Sequence, residues 1–188
     1  MSSSELLKQL AREVTLLPQE EVLEVGRRRK SLFIGIPKET SFQEHRVPLT
    51  PQSVAVLTGR GHQVLIERDT GRAVQFQDSD YSEAGAQVVE SAEEVFKADL
   101  ILKVAPPSHR EIEMLRHRQI LISALQLTVQ PKDTLRRMME KRMTAVAWDF
   151  IKDREGIYPI VRAMGEIAGT TSIQIAGEYL SADKGGPG

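Results

Sequence analysis

The sequence predicts an α/β fold, in which a mostly parallel, doubly wound sheet carries helices on both faces. Short apolar segments with the length of buried strands alternate with segments whose apolar residues recur every three or four positions. The connections between them are short and rich in proline, glycine and polar residues. This alternation favours parallel pairing, because parallel strands need a crossover that is usually a helix. The expected architecture is therefore Rossmann-like.

The first helix of this pattern has the clearest boundaries. Thr50 is expected to be its N-cap and Pro51 its first residue, because a threonine oxygen accepts from free N–H groups and proline lacks an N–H that would stay unpaired. Gly59-Arg60-Gly61 is interpreted as its end and the following turn. Strands are predicted over residues 32–36, 63–67, 87–89, 100–104, 120–124 and 144–147. Helices are predicted over residues 51–59, 78–83, 92–96, 109–115, 131–140 and 160–182.

Three regions are expected along the chain. Residues 1–30 form a helical extension, in which the basic run 27–30 is interpreted as a solvated helix end. Residues 31–159 form the α/β domain. Residues 160–188 form a helix between domains, and its interspersed glycines and alanines predict close packing against another element. We expect part of its apolar stripe, which includes Ile167 and Ile175, to stay exposed or to be covered by another protomer.

Composition excludes several classes of function. With 188 residues, 40% hydrophobic and 27% charged, the chain is typical of a globular domain, and its net charge of −1 gives no basic face for nucleic acid or an anionic membrane. The absence of cysteine excludes disulfides and thiolate chemistry. The four histidines do not have metal-ligand spacing, so no metal site is predicted. No apolar run approaches the ~20 residues of a membrane span, and we expect a cytoplasmic protein.

The polar segment between the first strand and the first helix is the strongest indication of a site. Arg46 follows the carboxyl end of a strand, where open α/β sheets bind their ligands. A guanidinium group can hold a carboxylate through two parallel hydrogen bonds. Glu39 and Glu44 flank the same segment and could pair with Arg46 or bind an ammonium group. Arg46 is therefore a candidate ligand of a substrate carboxylate, or else a surface arginine.

The segments Ile34-Gly35-Ile36-Pro37-Lys38-Glu39-Thr40 and Glu44-His45-Arg46-Val47-Pro48-Leu49-Thr50-Pro51 resemble the N-terminal signature of the alanine dehydrogenase and pyridine nucleotide transhydrogenase family. Similarity extends from about Leu32 to the last residue. The resemblance implies that Arg46 binds the carboxylate of a small amino or keto acid. It also implies that Lys103 is a second substrate-binding cation, which contacts pyruvate. From the residues alone, a lysine in an otherwise apolar strand needs a charged partner, or must extend to solvent at an edge.

Three further site residues follow from the same resemblance. Gln126 occupies the position at which many alanine dehydrogenases have a histidine that polarises the carbonyl and moves a proton. Glutamine cannot exchange a proton near neutral pH, so Gln126 orients the carbonyl or the reaction has changed. Met164 and Gly165 match a segment that lies near the nicotinamide of NAD. A methionine on a helix is otherwise most often a packing residue.

Within this family the chain is closest to alanine dehydrogenase. The resemblance therefore implies that it is the substrate-binding domain of an NAD-dependent alanine dehydrogenase. The sequence contains no G-x-G-x-x-G, so we expect NAD to be bound mainly by a further domain that these residues do not include. Alanine and pyruvate are the expected partners, with a homo-oligomer for the full-length protein and no nucleic acid or membrane. Two alternatives stay open: the NAD-binding component of a proton-translocating transhydrogenase, and a non-catalytic module that binds a small carboxylate or assembles with a partner.

Overall fold

A computed structural model describes residues 31–187. The predicted extension 1–30 and its basic run lie outside the described residues. Six parallel strands form one sheet: Phe33–Ile36 (β1), Gln63–Glu67 (β2), Gln87–Val89 (β3), Leu100–Leu102 (β4), Ile120–Ser123 (β5) and Thr144–Ala147 (β6). Their order is β3-β2-β1-β4-β5-β6. The chain winds outward in both directions from the β1–β4 pair, so a crevice forms at the carboxyl ends of these two strands.

Five helices connect the successive strands and a sixth follows β6, in the order that the sequence predicts. They are Pro51–Gly59 (α1), Asp78–Glu83 (α2), Ala92–Val95 (α3), His109–Met114 (α4), Lys132–Glu140 (α5) and Pro159–Leu180 (α6). Thr50 Oγ1 accepts from the Ser53 N–H at 3.4 Å, and Pro51 is the first residue of α1. The turn after α1 passes through Gly61 at a φ of 85°. The predicted N-cap and helix end are both confirmed.

Both faces of the sheet are covered. On one face, Ile34 and Ile36 of β1 pack with Val54 of α1 and the fully buried Tyr81 of α2. On the other face, apolar residues of β2, β4 and β5 pack against α3, α4 and α5. Successive residues of a strand point to opposite faces, so both faces need apolar residues, which explains the continuous apolar runs. The predicted doubly wound, Rossmann-like fold is confirmed.

Two contacts fix the segment between β1 and α1, residues 37–50. The hydroxyl of Tyr81 donates to the carbonyl of Leu49 at 3.0 Å, and burial raises the pKa of Tyr81 to about 12. At the other end, Gly35 of β1 lies against α3, where an added Cβ would come within 2.5 Å of the Val95 carbonyl oxygen. Only glycine permits this approach. The segment that carries Arg46 therefore leaves the sheet from a tightly packed strand and re-enters the core at a buried tyrosine.

Helix α6 differs from the other helices, because none of its residues is buried. Its exposed apolar side chains include Ile167, at 61% of full exposure, and Ile175, at 48%. The expectation that an apolar stripe on this helix is left uncovered is confirmed for the described part of the chain. A boundary between domains near residue 160 stays a prediction.

Candidate functional site

Arg46 is held by a carboxylate two residues before it. Its Nε donates to Glu44 Oε1 at 2.8 Å and its Nη2 donates to Glu44 Oε2 at 2.6 Å, which is a two-point pair along one edge of the guanidinium. The backbone N–H of Arg46 donates to the same Oε1 at 3.0 Å. The hydrogen bond from Arg46 lowers the pKa of Glu44, and the hydrogen bond to Glu44 raises the pKa of Arg46. Both groups are therefore charged at neutral pH.

The remaining edge of the Arg46 guanidinium faces helix α6. Its Nη1 lies 3.6 Å from the sulfur of Met164, which is a weak acceptor. The side chain of Arg46 is 53% exposed, whereas that of Glu44 is 12% exposed. The structure thus brings together two of the predicted site residues, Arg46 and Met164. Among residues 31–187 the hydrogen-bond partner of Nη1 is this thioether sulfur, so an incoming carboxylate that displaces it can form a second two-point pair at the Nη1–Nη2 edge.

A cavity of about 330 Å³ lies beside Arg46. It is lined by side chains from the segments that follow β1 and β2: Lys38, Glu39, Glu44, His45, Arg46, Asp69, Thr70, Arg72 and Ala73. This volume is at the small end of the range for small-molecule sites. Lys103 has no exposed surface and does not belong to this lining.

Lys103 lies in the interior, directly after β4. Its Nζ donates to Glu39 Oε2 at 2.9 Å and to Glu111 Oε1 at 2.7 Å. The side chains of Lys103, Glu39 and Glu111 are 0%, 4% and 5% exposed. The expectation that a lysine in this strand needs a charged partner is confirmed. Arg46 and Lys103 do not share a carboxylate here, since Glu39 pairs with Lys103 and Glu44 with Arg46.

Backbone groups complete the hydrogen bonding of both buried carboxylates. Glu39 Oε1 accepts from the N–H of Val104 at 2.6 Å. Glu111 Oε2 accepts from the N–H of Ser108 at 2.7 Å, which is half of a capping box at the start of α4. All four carboxylate oxygens therefore have a partner. We name these three residues, Glu39, Lys103 and Glu111, the buried triad.

Gln126 lies in the loop after β5 in a left-handed backbone conformation, with a φ of 47°. Its backbone N–H and that of Leu125 donate to the carboxylate of Asp149, at 3.1 and 3.2 Å. The neighbouring Trp148 donates from Nε1 to the carbonyl of Lys103 at 3.3 Å. The short segment after β6 thus holds both predicted residues of the β4 and β5 loops. The exposed side chain of Gln126 is free of the core, at the carboxyl edge of the sheet.

Sequence reasoning missed Asp149 and the role of Glu111. The pattern Ser108-x-x-Glu111 is a capping-box signature and could have indicated that Glu111 turns back toward the start of its helix. The carboxylate of Asp149 has no such local signal, because its partners lie 24 and 23 residues earlier in the chain. It follows β6, the strand next to β5, so only the strand order places it beside Gln126.

The connection between β1 and α1 does not fit the pyrophosphate of a dinucleotide. Pyrophosphate binding in this type of sheet uses a short glycine-rich turn between the first strand and its helix. Here that connection, residues 37–50, contains no glycine and carries two buried or half-buried glutamates. Around Gly165, an added Cβ would meet nothing within 4 Å. Contact of Met164 and Gly165 with a cofactor stays a prediction.

Two other features are absent from residues 31–187. Within that range there is no group of three His, Asp or Glu side chains arranged to hold a metal ion. None of the helices in the same range is long and apolar enough to cross a membrane.

The chain is similar in sequence to known proteins. Residues 35–168 match the family model described as alanine dehydrogenase/PNT, N-terminal domain. The chain is 36% identical over 157 residues to the alanine dehydrogenase of Staphylococcus saprophyticus, covering 84% of this chain and 42% of that protein. It is 38% identical over 156 residues to the alanine dehydrogenase of Mycobacterium tuberculosis, covering 82% and 42%. The chain thus spans less than half the length of these relatives.

Two solved structures share the fold. One is an L-alanine dehydrogenase, with a TM-score of 0.79 and 35% identity, covering 82% of this chain and 43% of that one. The other is a transhydrogenase from Sinorhizobium meliloti, with a TM-score of 0.60 and 30% identity, covering 64% and 36%. The alanine dehydrogenase is thus the better match in score, identity and coverage.

Proposed function

Because the chain belongs to the alanine dehydrogenase/PNT N-terminal domain family, we propose that it is the substrate-binding domain of an NAD-dependent alanine dehydrogenase. The complete enzyme would convert L-alanine, NAD and water into pyruvate, ammonium and NADH, and would also run in reverse. The residues present correspond to about 42% of the relatives' length. The isolated chain is therefore expected to bind the organic acid without turning it over.

The observation that carries this proposal is the geometry of Arg46. Glu44 occupies the Nε–Nη2 edge of the guanidinium and fixes its plane, so the Nη1–Nη2 edge is presented without loss of further side-chain entropy. A substrate carboxylate that replaces the weak Met164 sulfur contact would gain two charge-assisted hydrogen bonds. Arg46 is accordingly the carboxylate ligand in our proposal.

The other predicted residues receive different support. Gln126 is exposed and held by Asp149, so its amide can orient the carbonyl of a keto acid, although it cannot supply a proton. Glu39 and Glu111 accept from two of the three donors of the Lys103 ammonium, so direct contact with substrate would use the third donor and would require this buried side chain to become accessible. That contact remains a prediction from the resemblance, and the ion pairs do not support it.

The cofactor and assembly are part of the same proposal. NAD would be held mainly outside the residues described, with Met164 and Gly165 on the side of the domain that faces it. NAD supplies the hydride acceptor when it is bound, and the described residues bind and orient the organic acid. A cytoplasmic homo-oligomer is proposed for the complete protein on the resemblance alone.

Isothermal titration of pyruvate into the chain tests the role of Arg46. Arg46→Lys keeps the charge and removes the two-point geometry, so affinity should fall at least about tenfold, which corresponds to about 1.4 kcal/mol. Arg68→Lys is the matched control, because Arg68 is similarly exposed at 58% and pairs with Glu90 outside the cavity. Unchanged pyruvate affinity in Arg46→Lys, or an equal loss in Arg68→Lys, would contradict the proposal.

A second candidate is a non-catalytic module that binds a small carboxylate. It is favoured by Gln126, which cannot exchange a proton near neutral pH, and by the lack of a fitting phosphate turn in residues 37–50. Both candidates predict pyruvate binding through Arg46. They separate when the chain is joined to a nucleotide-binding domain: the dehydrogenase should then reduce NAD in the presence of L-alanine, whereas the module should not.

A further inference from the structure

We propose that His45 recognises the group on the second carbon of the bound acid. In this role its imidazole donates a hydrogen bond to the oxo group of pyruvate and accepts one from the ammonium group of L-alanine. This inference rests on the proposed function, because it adds a ligand-binding residue to the same site. Arg46 holds the carboxylate, and the residue before it contacts the neighbouring carbon's substituent.

The two acids present opposite hydrogen-bonding groups at the same carbon. The oxo oxygen of pyruvate only accepts hydrogen bonds, and the ammonium of L-alanine only donates them. A site that binds both acids in turn therefore needs a side chain that can either donate or accept. A neutral imidazole has one nitrogen that donates and one that accepts, and a protonated imidazole has two donors.

Among the described residues that line the cavity beside Arg46, His45 alone meets this requirement near neutral pH. Three lining side chains only donate: Lys38, Arg46 and Arg72. Three others, when ionised, only accept: Glu39, Glu44 and Asp69. These six are also the charged groups that face His45, from the segments after β1 and β2. The hydroxyl of Thr70 donates to the carbonyl of Glu67 at 2.6 Å, so it is left as an acceptor.

The imidazole of His45 is available to a ligand. Its side chain is exposed and forms no hydrogen bond or ion pair with the rest of residues 31–187. Each of the other three histidines uses a ring nitrogen within the fold: His62 with the Leu32 N–H, His109 with the Thr134 hydroxyl, and His117 with the Lys141 carbonyl. His45 is therefore the histidine whose hydrogen-bonding groups are not used by the described fold.

The position of His45 suits the spacing of the two groups on the ligand. The carboxylate carbon and the second carbon are joined by one bond, and the Cα atoms of His45 and Arg46 are about 3.8 Å apart. The hydrogen bond from Arg46 is the main cause of the lowered pKa of Glu44, and the charge of His45 adds to it, so the imidazole lies near this ion pair. An oxo oxygen has two lone pairs, so a bond from His45 leaves room for one from Gln126.

Protonation of His45 should change which acid the site prefers. Histidine commonly changes charge between about pH 5 and 8. The protonated ring offers donors to the oxo group and repels an ammonium, whereas the neutral ring can accept from the ammonium. Pyruvate should therefore bind better at about pH 5.5, and L-alanine at about pH 8. Propionate has the carboxylate without a polar group on the second carbon, so it measures the attraction of the positive charge for the carboxylate alone.

Isothermal titration of the three acids into the chain at these two pH values tests the role of His45. At the lower pH, the ratio of pyruvate affinity to propionate affinity should rise at least about fivefold, and the ratio for L-alanine should fall by a similar factor. In His45→Gln both ratios should be independent of pH, because the amide donates and accepts without changing its charge. His117→Gln, at an exposed histidine outside the cavity, should keep the pH dependence of the unsubstituted chain.

Two results would overturn the role of His45: affinity ratios that do not change with pH in the unsubstituted chain, or ratios that change equally in His45→Gln. Either result leaves the proposed function standing if Arg46→Lys still weakens pyruvate binding. Absence of pyruvate binding at both pH values would reject the proposed function, and the role of His45 with it. Titrations near pH 6.5 in two buffers of different ionisation enthalpy should show proton uptake with pyruvate and proton release with L-alanine, both lost in His45→Gln. Equal proton uptake with all three acids would contradict recognition of the second carbon.

Discussion

Arg46 and Lys103 are both cations paired with glutamate, yet their surroundings differ. The Arg46 side chain is 53% exposed and has one carboxylate partner, while Lys103 is fully buried between two. In water an ion pair gains little, because each charge is already well solvated. In the interior the ion pair offsets the solvation that each charge has lost, and removing one partner leaves the other charge buried and unpaired. Exposure therefore distinguishes the two cations: the Arg46 side chain is half exposed, and Lys103 is enclosed by two carboxylates.

The largest expected difference between the two cations is in stability. Lys103→Ala should lower the free energy of unfolding by about 3–5 kcal/mol, because Glu39 and Glu111 would be left buried and unpaired. Arg46→Ala should change it by less than about 1 kcal/mol, since the Arg46 side chain is 53% exposed and solvent screens its charge. Urea denaturation of both variants measures the two values.

Two further variants sharpen this comparison. Lys97→Ala removes an exposed lysine and should leave the unfolding midpoint almost unchanged. A chain with Lys103→Met, Glu39→Gln and Glu111→Gln together should recover more than half of the loss, because no unpaired charge remains. A small loss in Lys103→Ala, comparable with that in Arg46→Ala, would show that water reaches the triad and that burial does not distinguish the two cations.

The Asp149 contact extends the comparison to the loop after β5. Asp149→Ala removes the acceptor of the Leu125 and Gln126 N–H groups, and should cost about 1–3 kcal/mol because Leu125 is buried. Asp149→Asn keeps one acceptor oxygen and should cost less. Denaturation measures both, and hydrogen exchange at residues 125 and 126 should report the local loss. Equal stability of Asp149→Ala and the unsubstituted chain would indicate that water replaces the carboxylate.

Much of the fold could be predicted from the sequence, because the relevant signals are local. Every strand was predicted to within two residues, since buried parallel strands are continuous apolar runs that end at proline, glycine or charged residues. Helix α1 was predicted without error at both ends, because the Thr50 cap and the glycine turn are adjacent to it. β4 ends at Leu102, two residues before the predicted end, although the Lys103 N–H still bonds to the Ile122 carbonyl.

The site was less predictable, because its contacts are long-range. The partner of Lys103 in the β1 loop lies 64 residues away, and no periodicity connects the two residues. From the sequence, both Glu39 and Glu44 are possible partners of Arg46. In the structure only Glu44 pairs with it, because the pairing of β1 with β4 places Glu39 beside Lys103. The pair between Arg46 and Glu44 spans only two residues and can be predicted from local sequence. The difference in burial between Arg46 and Lys103 cannot be predicted in this way, and it is the main difference between the two cations.

The smallest expected effect concerns Glu67, at the end of β2, which lies between the two extremes of exposure. Burial raises its pKa above the ordinary 4.5, although the Lys38 N–H donates to its Oε2 at 2.8 Å. The folded state then holds the proton to a higher pH than the unfolded chain does. Stability should therefore fall as pH rises from 4.5 through the folded-state pKa, and should stay lower above it.

Glu67→Gln tests this sign directly, because the amide keeps an acceptor for the Lys38 N–H and cannot ionise. At pH 7 the variant should melt about 2 °C higher than the unsubstituted chain, and below pH 4.5 the two melting temperatures should converge. Glu83→Gln, at an exposed glutamate, controls for removing one negative charge. Thermal melts followed by circular dichroism between pH 4 and 8 measure the difference. A variant that melts lower than the unsubstituted chain at pH 7 would mean that the Lys38 contact outweighs burial, and that hydrogen bonding stabilises the charged form of Glu67 as it does that of Glu44.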